Sequence, residues 1–188
     1  AAAEPFEIPV ILPLTGGSAF LGSGERDALA IAEGVINAEG GIRGTPLHFN
    51  FQDDQSSPQV AVQLASKIRT HKSPIVLGSA ILAMCNAMAP VLGNQKVMYC
   101  ISPSIHPAAG STIFSAFISN HDLAEVLVRY FRSRGFKRLA MITSTDATGQ
   151  SAKQGVEDAM KLPENSSMEM VASVLVIIAR RLNPRDLK

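Results

Sequence analysis

The 188-residue chain predicts an α/β fold with a parallel sheet, and three observations carry that prediction. Four short apolar runs alternate with stretches of helical periodicity between Val10 and Ile101, the pattern of strand–helix–strand units with right-handed crossovers. Ile75 to Leu77 is apolar throughout, as a strand buried on both faces must be. A further strand, loop and helix begin again near Arg138, so the chain enters a second lobe.

The elements follow in order. Val10 to Leu14 reads as the first strand, and the glycine-, serine- and threonine-rich stretch Thr15 to Gly24 as a loop beyond its carboxyl end. In open α/β sheets that is where ligands bind, which makes this loop a candidate ligand wall. Leu29, Ala32, Val35 and Ile36 recur at helical spacing with Ile31 beside them, and Gly40-Gly41 ends the helix. Leu47, Phe49 and Phe51 alternate with His48 and Asn50, a strand with one wet face near a sheet edge. Ser57 is placed as an N-cap and Pro58 as the first residue of a helix carrying Val60, Ala61, Leu64, Ala65 and Ile68 inward. Ile75 to Leu77 follows, then a helix over residues 83–92 closed by Gly93-Asn94, and a fourth strand over residues 97–101.

Ser102-Pro103-Ser104 opens a loop that runs to Thr112, and residues 113–118 are read as a strand leaving the first lobe. The lobes are accordingly assigned to residues 1–115 and 116–188. Beyond Asn120, His121 and Asp122, a helix places Leu123, Val126, Leu127, Tyr130 and Phe131 on one face. Residues 138–143 form a strand, 145–149 its loop, and 150–161 a helix with Ala152, Val156 and Ala159 inward. Met168 to Val171 reads as another strand, while the run from Val171 to Lys188 fits strand or helix. With so few strands the second lobe does not close a core of its own, and the chain is expected to be a fragment there.

Composition excludes several classes. Lys and Arg total 17 against 16 Asp and Glu, a net charge of +1 that gathers no phosphate backbone. The longest apolar run, residues 174–179, falls far short of the roughly 20 residues a spanning helix needs. Ala1-Ala2-Ala3-Glu4 fits either what remains after leader cleavage or an ordinary frayed terminus. Cys85 and Cys100, one on a helix and one on a strand beneath it, are read as two buried free thiols.

No motif survives as a catalytic or cofactor signature. Gly22-x-Gly24 is followed by Asp27 where a dinucleotide fingerprint needs glycine, and no Gly-Lys-Ser/Thr triplet occurs. His48, His71, His106 and His121 sit on separate elements without metal-ligand spacing. Gly22-Ser23-Gly24 is not a nucleophile elbow and reads as a flexible turn. Asp53 and Asp54 are adjacent on a strand, so their side chains diverge, which favours structural capping over an acid pair or a metal site. What remains is a set of polar loops along one edge: residues 15–21, 78–79, 102–106, 120–122 and 145–149. Hydroxyls and helix-start N–H groups there suit a small polar or carboxylated ligand, though composition fits solvated turns equally well.

VILPLTGGSAFLG, INAEGGIRG, DD-x-S-x-P-x-x-A, VLGS, ISPS and ATGQS, in that order, resemble the type I periplasmic solute-binding proteins of ABC importers, in particular the branched-chain amino acid group. The resemblance covers residues 6 to about 161. It implies two Rossmann-like lobes, the first a doubly wound parallel sheet and the second incomplete in this chain, closing on ligand between them. It also implies a non-enzymatic, exported periplasmic protein without cofactor, whose partners are a small carboxylated ligand and a membrane permease. A ligand-sensing regulator or receptor of the same fold is the alternative.

Carried over by position, Phe20 or Leu21 faces the ligand's side chain, and Ser79, Leu82 and Ala83 line the helix start. Ser104 with His106 holds its carboxylate, Ser102 is a further ligand-binding residue, and Asn120, Asp122 and Thr148 close from the second lobe. The chain departs from leucine-type binders in having Ile81, Leu82 and Ala83 where those place serines, and Thr148 where an aromatic residue is frequent. The cysteine pair of some members would match Ser56 and Ile81, so that disulfide is absent. These departures suit an aromatic or aliphatic carboxylate about as well as an amino acid. The acidic group expected to bind a ligand ammonium falls beyond Lys188.

Overall fold

Val10, Ile11 and Leu12 are fully buried, each contributing on the order of 2 kcal/mol by leaving water, and they draw the first apolar run into the interior of a sheet. In this computed structural model, which describes residues 4–176, that run is β1 (Phe6–Leu12). It is followed by α1 (Ala19–Ala38), β2 (Leu47–Asp53), α2 (Pro58–Ile68), β3 (Ile75–Gly78), α3 (Leu82–Leu92), β4 (Val97–Cys100) and β5 (Ile113–Phe114). Then come α4 (Asn120–Ser133), β6 (Arg138–Ser144), α5 (Ala147–Lys161) and β7 (Glu169–Val176). The chain divides into two compact units between Phe117 and Ile118. The leader reading of Ala1 to Ala3, and the run beyond Val176, lie outside the described residues.

The first unit is a parallel sheet in the order β2-β1-β3-β4-β5. β2 is an edge strand, as the alternation of Leu47, Phe49 and Phe51 with His48 and Asn50 predicts. β3 and β4 pair in register from Ile75↔Val97 to Gly78↔Cys100, which brings their carboxyl ends side by side. Ala61, Ala65 and Ile68 of α2, and Met88 and Leu92 of α3, are buried. In α1 the apolar stripe is narrower than its sequence predicts. Leu29 and Ile36 pack on the β1–β2 core, whereas Ile31 and Val35 are 69% and 53% exposed.

Several boundaries differ from expectation, each for a local reason. α1 starts at Ala19, so Phe20 and Leu21 lie in its first turn, and Gly22-Ser23-Gly24 is helix rather than a flexible turn. Gly22 is there because a Cβ at that position would collide with the Pro13 carbonyl, so only glycine lets the helix rise this close to the end of β1. The second unit repeats the device: Gly149, in the first turn of α5, sits against the Ser144 carbonyl, so Thr148 and Gly149 are helical rather than loop. β5 keeps only Ile113 and Phe114 of the six residues expected. The Ser115 hydroxyl, 3.5 Å from both the Ser102 carbonyl and the Phe117 N–H, offers the backbone a partner other than the ladder.

Cys85 and Cys100 are a disulfide, not free thiols. The expectation failed because it set helix against strand, whereas the first turn of α3 folds directly over the end of β4 and leaves the two Cα atoms 6.1 Å apart. Both residues are fully buried. Closing an interval of 15 residues contributes about 3 kcal/mol by restricting the unfolded chain.

The second unit places α4 and α5 beside the parallel pair β6–β7, with Val128, Ala159 and Met168 buried together. Of the predicted α4 stripe, Leu123, Val126, Leu127 and Tyr130 are instead exposed, because the face against α5 is the one carrying Ala124 and Val128. β7 extends the predicted strand from Val171 to Val176.

The glycines of α1 provide a test. Gly22→Ala should cost about 2 kcal/mol in urea unfolding, since backbone cannot rotate away from the added methyl. Gly24→Ala, which meets nothing within 4 Å, should gain up to about 1 kcal/mol from helix propensity. Equal effects at the two positions would contradict the packing assigned to Gly22.

Candidate functional site

Winding of the first unit reverses between β1 and β3, so the ends of these strands mark the topological switch point where such sheets bind ligands. Three loops meet there, after β1, β2 and β3, and the adjacent pair Asp53-Asp54 organises them. Asp53 Oδ1 accepts the N–H groups of Leu14, Thr15 and Gln55 at 2.9, 3.1 and 2.8 Å, and Oδ2 accepts the Thr15 hydroxyl at 2.6 Å. Burial works against ionisation of Asp53, but these four bonds outweigh it and hold the carboxyl below its ordinary range.

Asp54, fully buried, faces the other way. Its Oδ2 accepts the Ser79 hydroxyl at 2.8 Å and its Oδ1 the Ser56 N–H at 2.8 Å. The Ser56 hydroxyl accepts the Ser18 N–H and donates to the Thr15 carbonyl. The divergence of the two carboxylates holds as their adjacency requires, and both act structurally. Among the described residues no cluster could hold a metal.

Beyond this staple lie the residues expected to line a site. Ser79, Ser102 and Ser104 are all buried. Ser79 uses its hydroxyl on Asp54, and the Ser104 N–H lies 3.4 Å from the Ser102 hydroxyl. Ile81 stands at the N-cap position of α3 and supplies no side-chain cap, so the first-turn N–H groups at Leu82 and Ala83 meet no capping oxygen. Leu82 itself is buried, leaving its backbone rather than its side chain to the loop edge. α1 and α2 are likewise uncapped. Ser57 occupies the N-cap position of α2, but its hydroxyl donates to Gln59 Oε1 instead. His106 is exposed, and Phe20 and Leu21 are 76% and 42% exposed. Topology therefore gathers Phe20, Leu21, Ser79, Leu82, Ala83, Ser102 and Ser104 to the carboxyl edge of one sheet, and His106 follows in the loop that leaves this edge after β4.

In the second unit Asn120 and Asp122 occupy the first turn of α4, and Thr148 the first turn of α5. Asn120 lies against α5, its Nδ2 3.5 Å from the Ser151 hydroxyl. Asp122 is already engaged: its N–H donates to the Ser119 hydroxyl, which donates back to Asp122 Oδ2 at 2.7 Å. Asp146 caps α5 by accepting the Gly149 N–H at 2.8 Å.

Sequence reasoning passed over Glu25. It lies on α1, its carboxyl is raised to about 7 by burial and then by the charge of Asp54, and its Oε2 is buried without a partner among the described residues. Burial also raises Asp54, against the bonds from Ser79 and Ser56. Glu25 is one helical turn past Leu21, and only the approach of α1 to Asp54, permitted by Gly22, gives it this environment.

Residues 5–164 match the family model described as periplasmic binding protein. The chain is similar to the Leu/Ile/Val-binding protein homolog 3 of Brucella melitensis, 28% identical over 88% of this chain and 45% of that one. Among solved structures it is similar to the branched-chain amino acid transporter substrate-binding protein of Streptococcus pneumoniae in complex with isoleucine. There the TM-score is 0.77 at 19% identity, over 94% of this chain and 51% of that one. It is also similar to an ABC transporter solute-binding protein from R. palustris in complex with benzoate, with TM-score 0.73 at 18% identity, over 93% and 49%. The chain thus spans about half the length of the proteins it matches.

Glu25 supplies a pH test. Its folded pKa, about 7, lies above the ordinary 4.5, so its contribution to stability is full below pH 4.5 and is lost as pH rises through 7. The wild-type melting temperature should therefore fall between pH 5 and 7.5, and Glu25→Gln, which stays neutral, should flatten that fall. An unchanged slope in the variant would remove Glu25 as its source.

Proposed function

The chain belongs to the periplasmic binding protein family, and from that premise we propose that it forms part of the solute-binding component of an ABC importer, capturing a small carboxylated ligand. The observation that carries this reading is the uncapped first turn of α3 next to the buried Ser102–Ser104 segment, at the switch-point edge of the sheet. A helix N-terminus presents unpaired N–H groups and about half a unit of positive charge, which favours a carboxylate. The relatives are binding proteins by name, and the ligands seen in two structural neighbours, isoleucine and benzoate, share a carboxylate.

Ser104 and His106 hold the carboxylate in this proposal, and Phe20 and Leu21 offer exposed apolar surface to the rest of the ligand. The apolar Ile81-Leu82-Ala83 segment admits an aromatic acid as readily as a branched-chain amino acid. Asn120, Asp122 and Thr148 are the second unit's candidates for the same ligand. Ser79 is reassigned from contact to support, since Asp54 takes its hydroxyl. Periplasmic location and delivery to a permease belong to the same reading, supported by the family.

A ligand bound by the folded state alone raises the melting temperature, by about 2.7 kcal/mol of stabilisation at 100 times Kd. One of L-leucine, L-isoleucine or benzoate should produce such a shift, and Ser104→Ala or His106→Ala should weaken binding at least about tenfold, near 1.4 kcal/mol. Absence of a shift with both ligand classes would falsify the proposal. Undiminished binding by both variants would instead displace the carboxylate site.

A further inference from the structure

The Cys85–Cys100 disulfide lies directly behind the proposed ligand wall. Cys85 is in the first turn of α3, the turn whose N–H groups are uncapped, and Cys100 is the last residue of β4, two residues before Ser102. The bridge therefore ties the two segments assigned to the ligand's carboxylate to each other. It also closes on Ser79: the carbonyl oxygen of Ser79 lies 3.3 Å from Cys85 Sγ and 3.8 Å from Cys100 Sγ. Neither sulfur of a disulfide carries a hydrogen, so these are close S···O approaches and not hydrogen bonds. Ser79 is thus bonded to Asp54 through its hydroxyl and has its carbonyl packed against the disulfide.

The strand ladder does not extend across this junction. β4 pairs with β3 only as far as Gly78↔Cys100, and beyond that register Ser79 and Ile101 have no ladder between them. The turn before α3 is held by the Ile81 carbonyl accepting the N–H groups of Met84 and Cys85 at 3.1 and 3.2 Å, bonds internal to the turn that do not anchor it to β4. A covalent bridge at this point sets a spacing that the hydrogen-bonded sheet leaves unset.

We propose that Cys85 and Cys100 are positioning residues for ligand binding: their disulfide sets the distance between the first turn of α3 and the loop after β4, so that both meet one carboxylate. The inference rests on the functional reading above. Loss of the bridge should cost affinity by loosening these two segments, over and above any general loss of stability.

The test compares the wild-type protein with C85A/C100A, and with C85V/C100A as a companion that refills the vacated space. Affinity for L-leucine, L-isoleucine and benzoate is measured by calorimetry at a temperature where all three proteins are folded by circular dichroism. Amide exchange is followed in parallel across residues 78–85 and 100–105, with β1 and β2 as the reference. Affinity should fall at least tenfold in both variants, and exchange should quicken in the two segments while β1 and β2 stay protected. Affinity within twofold of wild type overturns the proposal, and so does exchange that quickens evenly through the unit, the signature of a bridge that only adds stability. If wild type binds none of the three ligands, the functional reading falls, and the exchange pattern alone then decides whether the bridge sets this junction.

Discussion

Asp53 and Asp54 are the constraint on which the first unit's functional edge depends. They sit at the end of an edge strand, yet between them they fix the loops after β1, β2 and β3. Because adjacent strand residues face opposite ways, one carboxylate takes four donors, three of them from the loop after β1, while the other reaches past β1 to Ser79 after β3. Hydrogen bonds to a charged acceptor are stronger than those between neutral groups, which suits Asp53, where four of them outweigh burial. The cost is a fully buried Asp54, whose charge adds to the burial that already pushes Glu25 toward neutrality.

Helix starts are treated differently in the two units. α4 and α5 carry side-chain caps, Ser119 and Asp146, so their first N–H groups are partly satisfied by the chain itself. α1, α2 and α3 carry none. In α1 the Ala19 and Leu21 N–H groups go to the Gly16 and Ser18 carbonyls, and Pro58 brings no N–H to the start of α2, so it is at α3, beside the buried Ser102 and Ser104, that first-turn donors meet no capping oxygen. Ser79 illustrates how support differs from contact. Its hydroxyl is taken by Asp54, and its carbonyl packs against the disulfide.

The second unit begins with the same strand-to-helix device, a glycine at the helix start seated on the end of the preceding strand. Its amphipathic α4 nevertheless leaves Leu123, Val126, Leu127 and Tyr130 exposed within the described residues, and both faces of β7 carry exposed apolar side chains such as Val174 and Leu175. Burial in this unit concentrates on Ala124, Val128, Ala159 and Met168, where α4 and α5 meet each other and the sheet.

The sequence by itself determined the α/β class, the strand order of appearance and the edge position of β2, because hydrophobic period and turn residues are local properties; the family came from the resemblance of its motifs and not from periodicity. The sequence also determined that Asp53 and Asp54 diverge, since the divergence of adjacent strand side chains needs no knowledge of neighbours; the partners each one takes came from the fold. Tertiary structure alone decided the start of α1, where the Pro13 carbonyl makes Gly22 a packing residue in a helix and not a turn. It alone paired Cys85 with Cys100, which depends on how the first turn of α3 folds over β4 and not on spacing. It alone gave Glu25 its raised pKa, because burial, and after it the charge of Asp54 on another loop, are set by what the fold brings against the carboxyl. Periodicity reports which face of an element is apolar; only the fold reports what that face, or the polar one, meets.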